Sequence, residues 1–253
     1  MTKMIMYGCN GRMGKMITGI VNDDPDITIV AGVDLVTTAN EGYPVYDDIN
    51  KVKEQADVVV DFGNAKAVDG LLDWCLANKM PLVECTTGLS DEQLNRINEA
   101  SGTIAMFKSA NMSLGINLLQ KILKENAAKL VEAGFDVEIV EKHHKTKLDA
   151  PSGTALALAD SVNEGISEKK DYVFDRSGRR MARPETEIGI SAVRGGTIVG
   201  DHDVIFAGQD EVITLSHTAY SRAVFAKGAV QAAKFVAGKS AGAYDMSDVI
   251  NAD

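Results

Sequence analysis

Lys3-Met4-Ile5-Met6-Tyr7-Gly8-Cys9-Asn10-Gly11-Arg12-Met13-Gly14 is the stretch that decides the fold. Residues 3–7 form a short apolar strand. Residues 14–22 repeat apolar side chains at helical spacing, with Met16, Ile17, Ile20 and Val21 on one side. Between them lies G-x-x-G-x-x-G, whose glycines permit a tight turn and let the backbone approach a pyrophosphate at the helix N-terminus. In a chain with 23 glycines such spacing arises easily by chance, or marks only a tight turn. Context strengthens it: a second β-rich run, 27–33, ends at Asp34, about twenty positions on, where a ribose-binding carboxylate is expected. Leu35 follows rather than arginine, so Asp34 would pair with a 2′-hydroxyl and repel a 2′-phosphate. This favours NADH over NADPH, although Arg12 and Lys15 remain available to an adenosine phosphate.

Outward from this turn, strands at 58–62, 81–84 and 103–107 alternate with helices at 68–78 and 91–100. That rhythm implies βαβ units and a Rossmann-like parallel sheet in an α/β chain. Two turns follow strands of this sheet, where nicotinamide contacts belong. One holds Cys85, Thr86, Thr87 and Gly88; the other holds Ser109, Ala110, Asn111, Met112 and Ser113. Both read equally as plain strand-to-helix turns, with Ser113 as a helix cap. Beyond Ser109 the rhythm changes to a long helix at 113–133, an alternating strand at 135–142 and a helix at 155–164. Three strands follow, at 187–194, 197–207 and 211–218. These predict a second, α+β domain with a mixed sheet. A last helix, 221–238, can return to the first domain. The expected domains are therefore 1–110 with 219–253 for the dinucleotide, and 111–218 for the substrate. The polar stretch 168–184 reads as a mobile loop.

Bulk properties narrow the function. The 253 residues carry a formal net charge of −10 with no long basic run, which argues against nucleic acid or an anionic membrane as partner. An anionic substrate would need a local basic pocket. Three cysteines, Cys9, Cys75 and Cys85, give neither a disulfide framework nor a zinc pattern, so no metal is expected. No secretory signal or membrane-length apolar run is evident, and the expected setting is cytoplasmic.

The basic pocket has one candidate, His143-His144-Lys145-Thr146-Lys147-Leu148-Asp149-Ala150-Pro151-Ser152-Gly153-Thr154, which holds two of the four histidines. Ser152 or Thr154 can cap the helix that follows, and the amides around Gly153 and Thr154 suit a carboxylate. A histidine exchanges protons near neutrality, and a lysine donates or adds positive charge. Adjacent histidines on a strand point to opposite faces, so one of the two can be purely structural.

Extended to Glu141 and Ala155, this run closely resembles the E-x-H-H-x-x-K-x-D-A-P-S-G-T-A signature of the 4-hydroxy-tetrahydrodipicolinate reductase (dihydrodipicolinate reductase) family. The resemblance covers essentially the whole chain. It takes in the glycine loop, both nicotinamide turns, Arg194-Gly195-Gly196-Thr197-Ile198-Val199-Gly200-Asp201-His202, and the segment 242–249. It implies an NAD(P)H-dependent reductase of the diaminopimelate–lysine route, acting on a small cyclic dicarboxylate. His143 would then be the proton donor/acceptor, Lys147 a second donor and His144 a substrate ligand. Gly153 and Thr154 would hold a substrate carboxylate. Gly8, Cys9, Asn10, Gly11, Arg12, Met13, Asp34, Cys85, Thr86, Thr87, Ser109, Ala110, Asn111 and Met112 would line the cofactor. The resemblance further implies a homotetramer joined through the second-domain sheets. Gly63 stands where a Ser or Thr is common, and no role is assigned there. The rival readings are another dehydrogenase on the same plan and a non-catalytic dinucleotide sensor. Neither accounts for His143, Lys147, Gly153 and Thr154 together.

Overall fold

A computed structural model of the protein describes residues 1–38 and 42–252. In chain order, β1 (Thr2–Tyr7), α1 (Arg12–Asn22), β2 (Ile27–Val33), β3 (Val45–Tyr46), β4 (Val58–Asp61), α2 (Ala65–Asn78), β5 (Leu82–Glu84), α3 (Asp91–Ala100) and β6 (Ala105–Lys108) come first. Next are α4 (Leu114–Glu132), β7 (Asp136–His143), α5 (Gly153–Gly165), β8 (Asp171–Val173), β9 (Glu187–Arg194), β10 (Gly200–Ala207) and β11 (Val212–Ala219). The chain continues with α6 (Ala223–Val236), β12 (Gly242–Tyr244) and α7 (Met246–Asn251). Two compact units result: Met1–Ser113 with the segment from Ala223 onward, and Leu114–Arg222.

In the first unit seven parallel strands run in the order β12-β6-β5-β4-β1-β2-β3. Strand alternation supplies two cores. Met4, Met6, Val58 and Val60 point to the side covered by α1 and α6. Ile5, Val59, Leu82 and Met106 point to the side covered by α2 and α3. Burial on both faces explains why these strands read as continuous apolar runs. The chain moves outward from β1 to β2 and β3, then returns to β4 on the other side of β1. This reversal opens a crevice past the carboxyl ends of β1 and β4, where open α/β sheets bind ligands.

The second unit is a five-stranded sheet in the order β11-β10-β7-β9-β8. β7, β8 and β9 are parallel, and β10 is antiparallel to both β7 and β11. Leu119 and Leu123 of α4, with Leu158 and Val162 of α5, cover one face over Val137, Ile139, Ile188 and Phe206. The other face carries half-buried Glu138, Val140, Lys142, Asp203 and Ile205 with no helix of this unit over them.

Several details differ from the sequence expectations. β3, β8 and β12 were not anticipated, because two or three residues are too few to show a period. β8 lies inside the stretch expected to be a mobile loop. That stretch is also tied down: Arg176 and Arg179 reach Glu187 at 2.7 and 2.6 Å, and Arg183 bonds Glu138 at 2.8 Å. β10 starts at Gly200 rather than Thr197, because Gly195 and Gly196 form the turn out of β9. There the Gly195 N–H donates to the His143 carbonyl at 2.9 Å.

Candidate active site

The glycine turn is built by contacts that exclude side chains. Gly8 has φ +79°, and a Cβ on it would lie 2.7 Å from the Phe62 carbonyl oxygen. A Cβ on Gly14 would lie 2.3 Å from the Gly8 oxygen, so only glycine lets α1 start this close to the strand. Gly11, by contrast, is exposed. It caps α1 without a side-chain hydrogen bond, and no acid sits in the first turn. The amides there suit an anion, and exposed Arg12 stands beside them. Asn10 ties this turn to the end of β2. Its N–H donates to Asp34 Oδ2 at 2.9 Å, and its Nδ2 donates to the Val36 and Thr38 carbonyls. The Val36 amide donates to Asp34 Oδ1 at 3.1 Å, which fixes the carboxylate from both sides. A cleft of about 510 Å³ opens here, lined by Gly8, Gly11, Asp34, Phe62, Asn64 and Lys66 among others. Open amides, a backbone-only approach and a fixed carboxylate fit the phosphate and ribose of a dinucleotide.

Not every predicted residue presents its side chain. Cys9 lies wholly in the core, its thiol pushed up to about 11, chiefly by burial, so it offers only backbone. Met13 packs partly on the same core, and Met112 is buried in it. At the second predicted turn, Thr86 is buried and donates its hydroxyl to Asp61 Oδ2 at 2.9 Å, whereas Thr87 is exposed. Cys85 is half-buried, and burial holds its thiol well above the ordinary value. At the third, the Ser109 hydroxyl donates to the Asn111 carbonyl and Asn111 Oδ1 accepts the Ser113 amide, leaving Ala110 exposed. Gly63, left without a role by the sequence, belongs here too. Its N–H donates to Asp61 Oδ1 at 2.7 Å, and a Cβ on it would strike that oxygen and the Tyr7 ring.

In the second unit, β7 alternation puts Glu141 and His143 on the buried side and Lys142 on the other. Glu141, with no exposed surface, is the centre of the site. Its Oε2 lies 2.6 Å from His143 Nδ1, Arg194 forks onto both its oxygens at 2.6 and 2.7 Å, and the Ser152 amide donates to Oε1 at 2.9 Å. Burial alone would raise this carboxyl. The Arg194, His143 and Ser152 hydrogen bonds outweigh it and hold the pKa below the ordinary value. An ionised Glu141 directs the Nδ1 proton of His143 towards itself and leaves Nε2 for proton exchange. Sequence reasoning missed Glu141 and Arg194 as organisers, since 53 residues separate them.

His144 points the other way, half-exposed, with Nδ1 2.7 Å from the Thr146 hydroxyl. Ser152, rather than Thr154, caps α5: its hydroxyl accepts the Ala155 amide at 3.1 Å and lies 3.0 Å from His202 Nε2. His202 packs edge-on to the His143 ring at 5.1 Å; burial, then the charge of His143, pushes it down to about 4, so it is neutral. Asp149 occupies part of the expected anion site. It pairs with Lys147 at 2.8 Å, and the Gly153 amide lowers its pKa further. A carboxylate of the chain itself thus engages Lys147, expected as a proton donor, and the Gly153 amide, expected to receive the substrate. Among the described residues no three His, Cys, Asp or Glu side chains gather to hold a metal ion.

The family model described as dihydrodipicolinate reductase, N-terminus, matches residues 2–112, and that for the C-terminus matches residues 115–250. The chain belongs to the dihydrodipicolinate reductase family. It is 53% identical over 250 residues to the 4-hydroxy-tetrahydrodipicolinate reductase of Caldanaerobacter subterraneus subsp. tengcongensis, covering 99% of this chain and 98% of the relative. It is 50% identical to the corresponding reductase of Clostridium tetani, with the same coverage. The dipicolinate-bound dihydrodipicolinate reductase of Paenisporosarcina sp. TG-14 superposes with a TM-score of 0.79 at 27% identity, covering 97% of each chain. Like that dihydrodipicolinate reductase, the chain pairs a Rossmann-like unit with a mixed-sheet unit.

Proposed function

We propose that this chain reduces 4-hydroxy-2,3,4,5-tetrahydrodipicolinate to tetrahydrodipicolinate in the diaminopimelate route of lysine biosynthesis. Relatives at 50% identity and above carry this activity in their names. The observation that carries the reading within the chain is His143, a buried imidazole fixed by an ionised Glu141.

Gly8, Cys9, Asn10, Gly11, Arg12 and Met13 hold the phosphates, mainly through backbone amides, and Asp34 holds the ribose. Residues 85–87 and 109–112 flank the nicotinamide. When bound, the reduced nicotinamide supplies a hydride. The chain's own residues govern the proton that balances it, since one water leaves and one proton enters. Nε2 of His143 or the ammonium of Lys147 delivers that proton to the electron-rich ring. His144 and the α5 N-terminus at Gly153 and Thr154 hold the carboxylates. Asp34 followed by Leu35 favours NADH, with NADPH as the second cofactor. We also assign the open face of the β7–β11 sheet to a homotetramer, and the enzyme to the cytoplasm, acting without nucleic acid or membrane.

The test mixes protein, NADH and freshly generated substrate and follows loss of nicotinamide absorbance. Absence of wild-type turnover with either reduced nicotinamide would sink the reductase reading. Unchanged turnover in a His143→Ala, Lys147→Ala double variant would sink the residue assignment. A sedimentation mass other than four chains would refute the tetramer.

A further inference from the structure

The carboxyl ends of β4 and β5 hold an acidic pair that the proposed reaction does not use. Asp61 and Glu84 are register partners on neighbouring strands, 1% and 0% exposed. Asp61 is well supplied with donors: the Gly63 amide at 2.7 Å on Oδ1 and the Thr86 hydroxyl at 2.9 Å on Oδ2. Glu84 has the Thr86 amide at 2.7 Å on Oε1, while Oε2 is buried and, among the described residues, no donor reaches it. A buried carboxylate oxygen without a donor is strongly disfavoured. The conflict disappears if Oε2 carries a proton, because it then becomes a donor, with Asp61 beside it as the register partner on the neighbouring strand. Two carboxyls in contact do not both ionise, and the proton goes to the one with fewer donors. Burial first, and the charge of Asp61 second, push Glu84 up to about 9.

We propose that Asp61 and Glu84 form a one-proton carboxyl pair, Asp61 the ion and Glu84 the acid, that positions the turns at 62–64 and 85–87 for cofactor binding. The pair grips both turns at once: Gly63 through its amide, and Thr86 through amide and hydroxyl. Gly63 and Asn64 line the dinucleotide cleft, and Thr87 is exposed next to buried Thr86. Neither acid touches a reacting atom, so both are positioning residues. Ionising Glu84 would place two buried carboxylates in contact and force the turns apart.

Other titratable groups face the pair. Tyr7 comes from β1, Cys75 from α2 and Cys85 from the turn itself. Burial pushes each of them above its ordinary value, with these acids adding to it. Lys108, from β6, opposes the shift on Glu84. Between pH 8 and 10, therefore, Glu84 is the acid of this cluster that ionises.

This inference rests on the cofactor reading of the turns, and the test separates the two. NADH is titrated into the full chain from pH 7.5 to 10, reading nicotinamide fluorescence. If only the protonated pair binds, wild-type affinity holds to about pH 8.5 and falls about tenfold by pH 10. Glu84→Gln donates to Asp61 but does not ionise, so its affinity stays flat across that range. Asp61→Asn turns an N–H towards existing donors and binds about fivefold or more weakly at pH 7.5. An alkaline limb persisting in Glu84→Gln overturns the proposal. Should the variants fail to fold, the wild type still decides: a protonated-carboxyl infrared band is expected at neutral pH and lost near pH 9, and its absence overturns the pair. Failure of the wild type to bind NADH at any pH, with that band present, overturns the cofactor reading and with it the positioning role.

Discussion

Glu141 receives an arginine fork, an imidazole and a backbone amide with no surface open to water. Removing its charge leaves Arg194 largely buried without a counter-ion. Glu141→Gln is therefore expected to cost about 3–5 kcal/mol of stability at neutral pH, read by urea unfolding. The sign of the pH dependence follows from the lowered pKa. The ion's contribution is full above the ordinary carboxyl value of 4.5 and is lost as pH falls through the lower folded value. The gap between variant and wild type should narrow below about pH 4.5; a gap that widens in acid refutes the ionised assignment. Asp149 gives a second prediction at this scale. It competes for Lys147 and the Gly153 amide, so Asp149→Asn should bind dipicolinate about two- to fivefold more tightly by calorimetry. Weaker binding would show instead that Asp149 organises the loop for the ligand.

Elements whose chemistry is contiguous in the chain were the ones the sequence revealed. The glycine turn and the run from His143 to Thr154 each lie on one short segment, so residue types, neighbouring elements and the family resemblance could be read together there. What stayed hidden depends on strand register. Nothing local links Asp61 to Glu84, or Glu141 to Arg194, until β4 pairs with β5 and β7 with β9. The choice between Ser152 and Thr154 as cap was likewise open, because both are good cap residues; the geometry selects Ser152. That hydroxyl ties α5 to the β10 residue His202, joining a helix end to the sheet. Ser152→Ala should therefore lower stability by about 1–2 kcal/mol, measured as a shift in denaturation midpoint, through loss of cap and imidazole bond together. A change within experimental error would mean that neither bond matters.

At the scale of the molecule, α6 is the element that completes the first unit. Gly228 sits so close to the Met112 carbonyl that a Cβ would fall 1.6 Å from its oxygen. Helix and turn are thus in backbone contact, and Gly228→Ala should push the segment 109–112 out of place. The expected outcome is a loss of about 1–3 kcal/mol in stability with weaker NADH binding. Lost stability with unchanged NADH affinity would detach that segment from the cofactor.

The return of α6 also sets an order of assembly. Ala226, Ala229, Val230, Ala233 and Val236 fill one core of the first unit, and Met246 joins them. During synthesis, strands β1 to β6 leave the ribosome long before these residues exist, with one face of their sheet covered only by α1. The contiguous segment Leu114–Arg222 has its own core complete before Ala223 is made. Domains fold as units, so the unit encoded in the middle of the chain can fold first on the ribosome. The Rossmann-like half then waits, open to chaperones and proteases, until its last helix arrives.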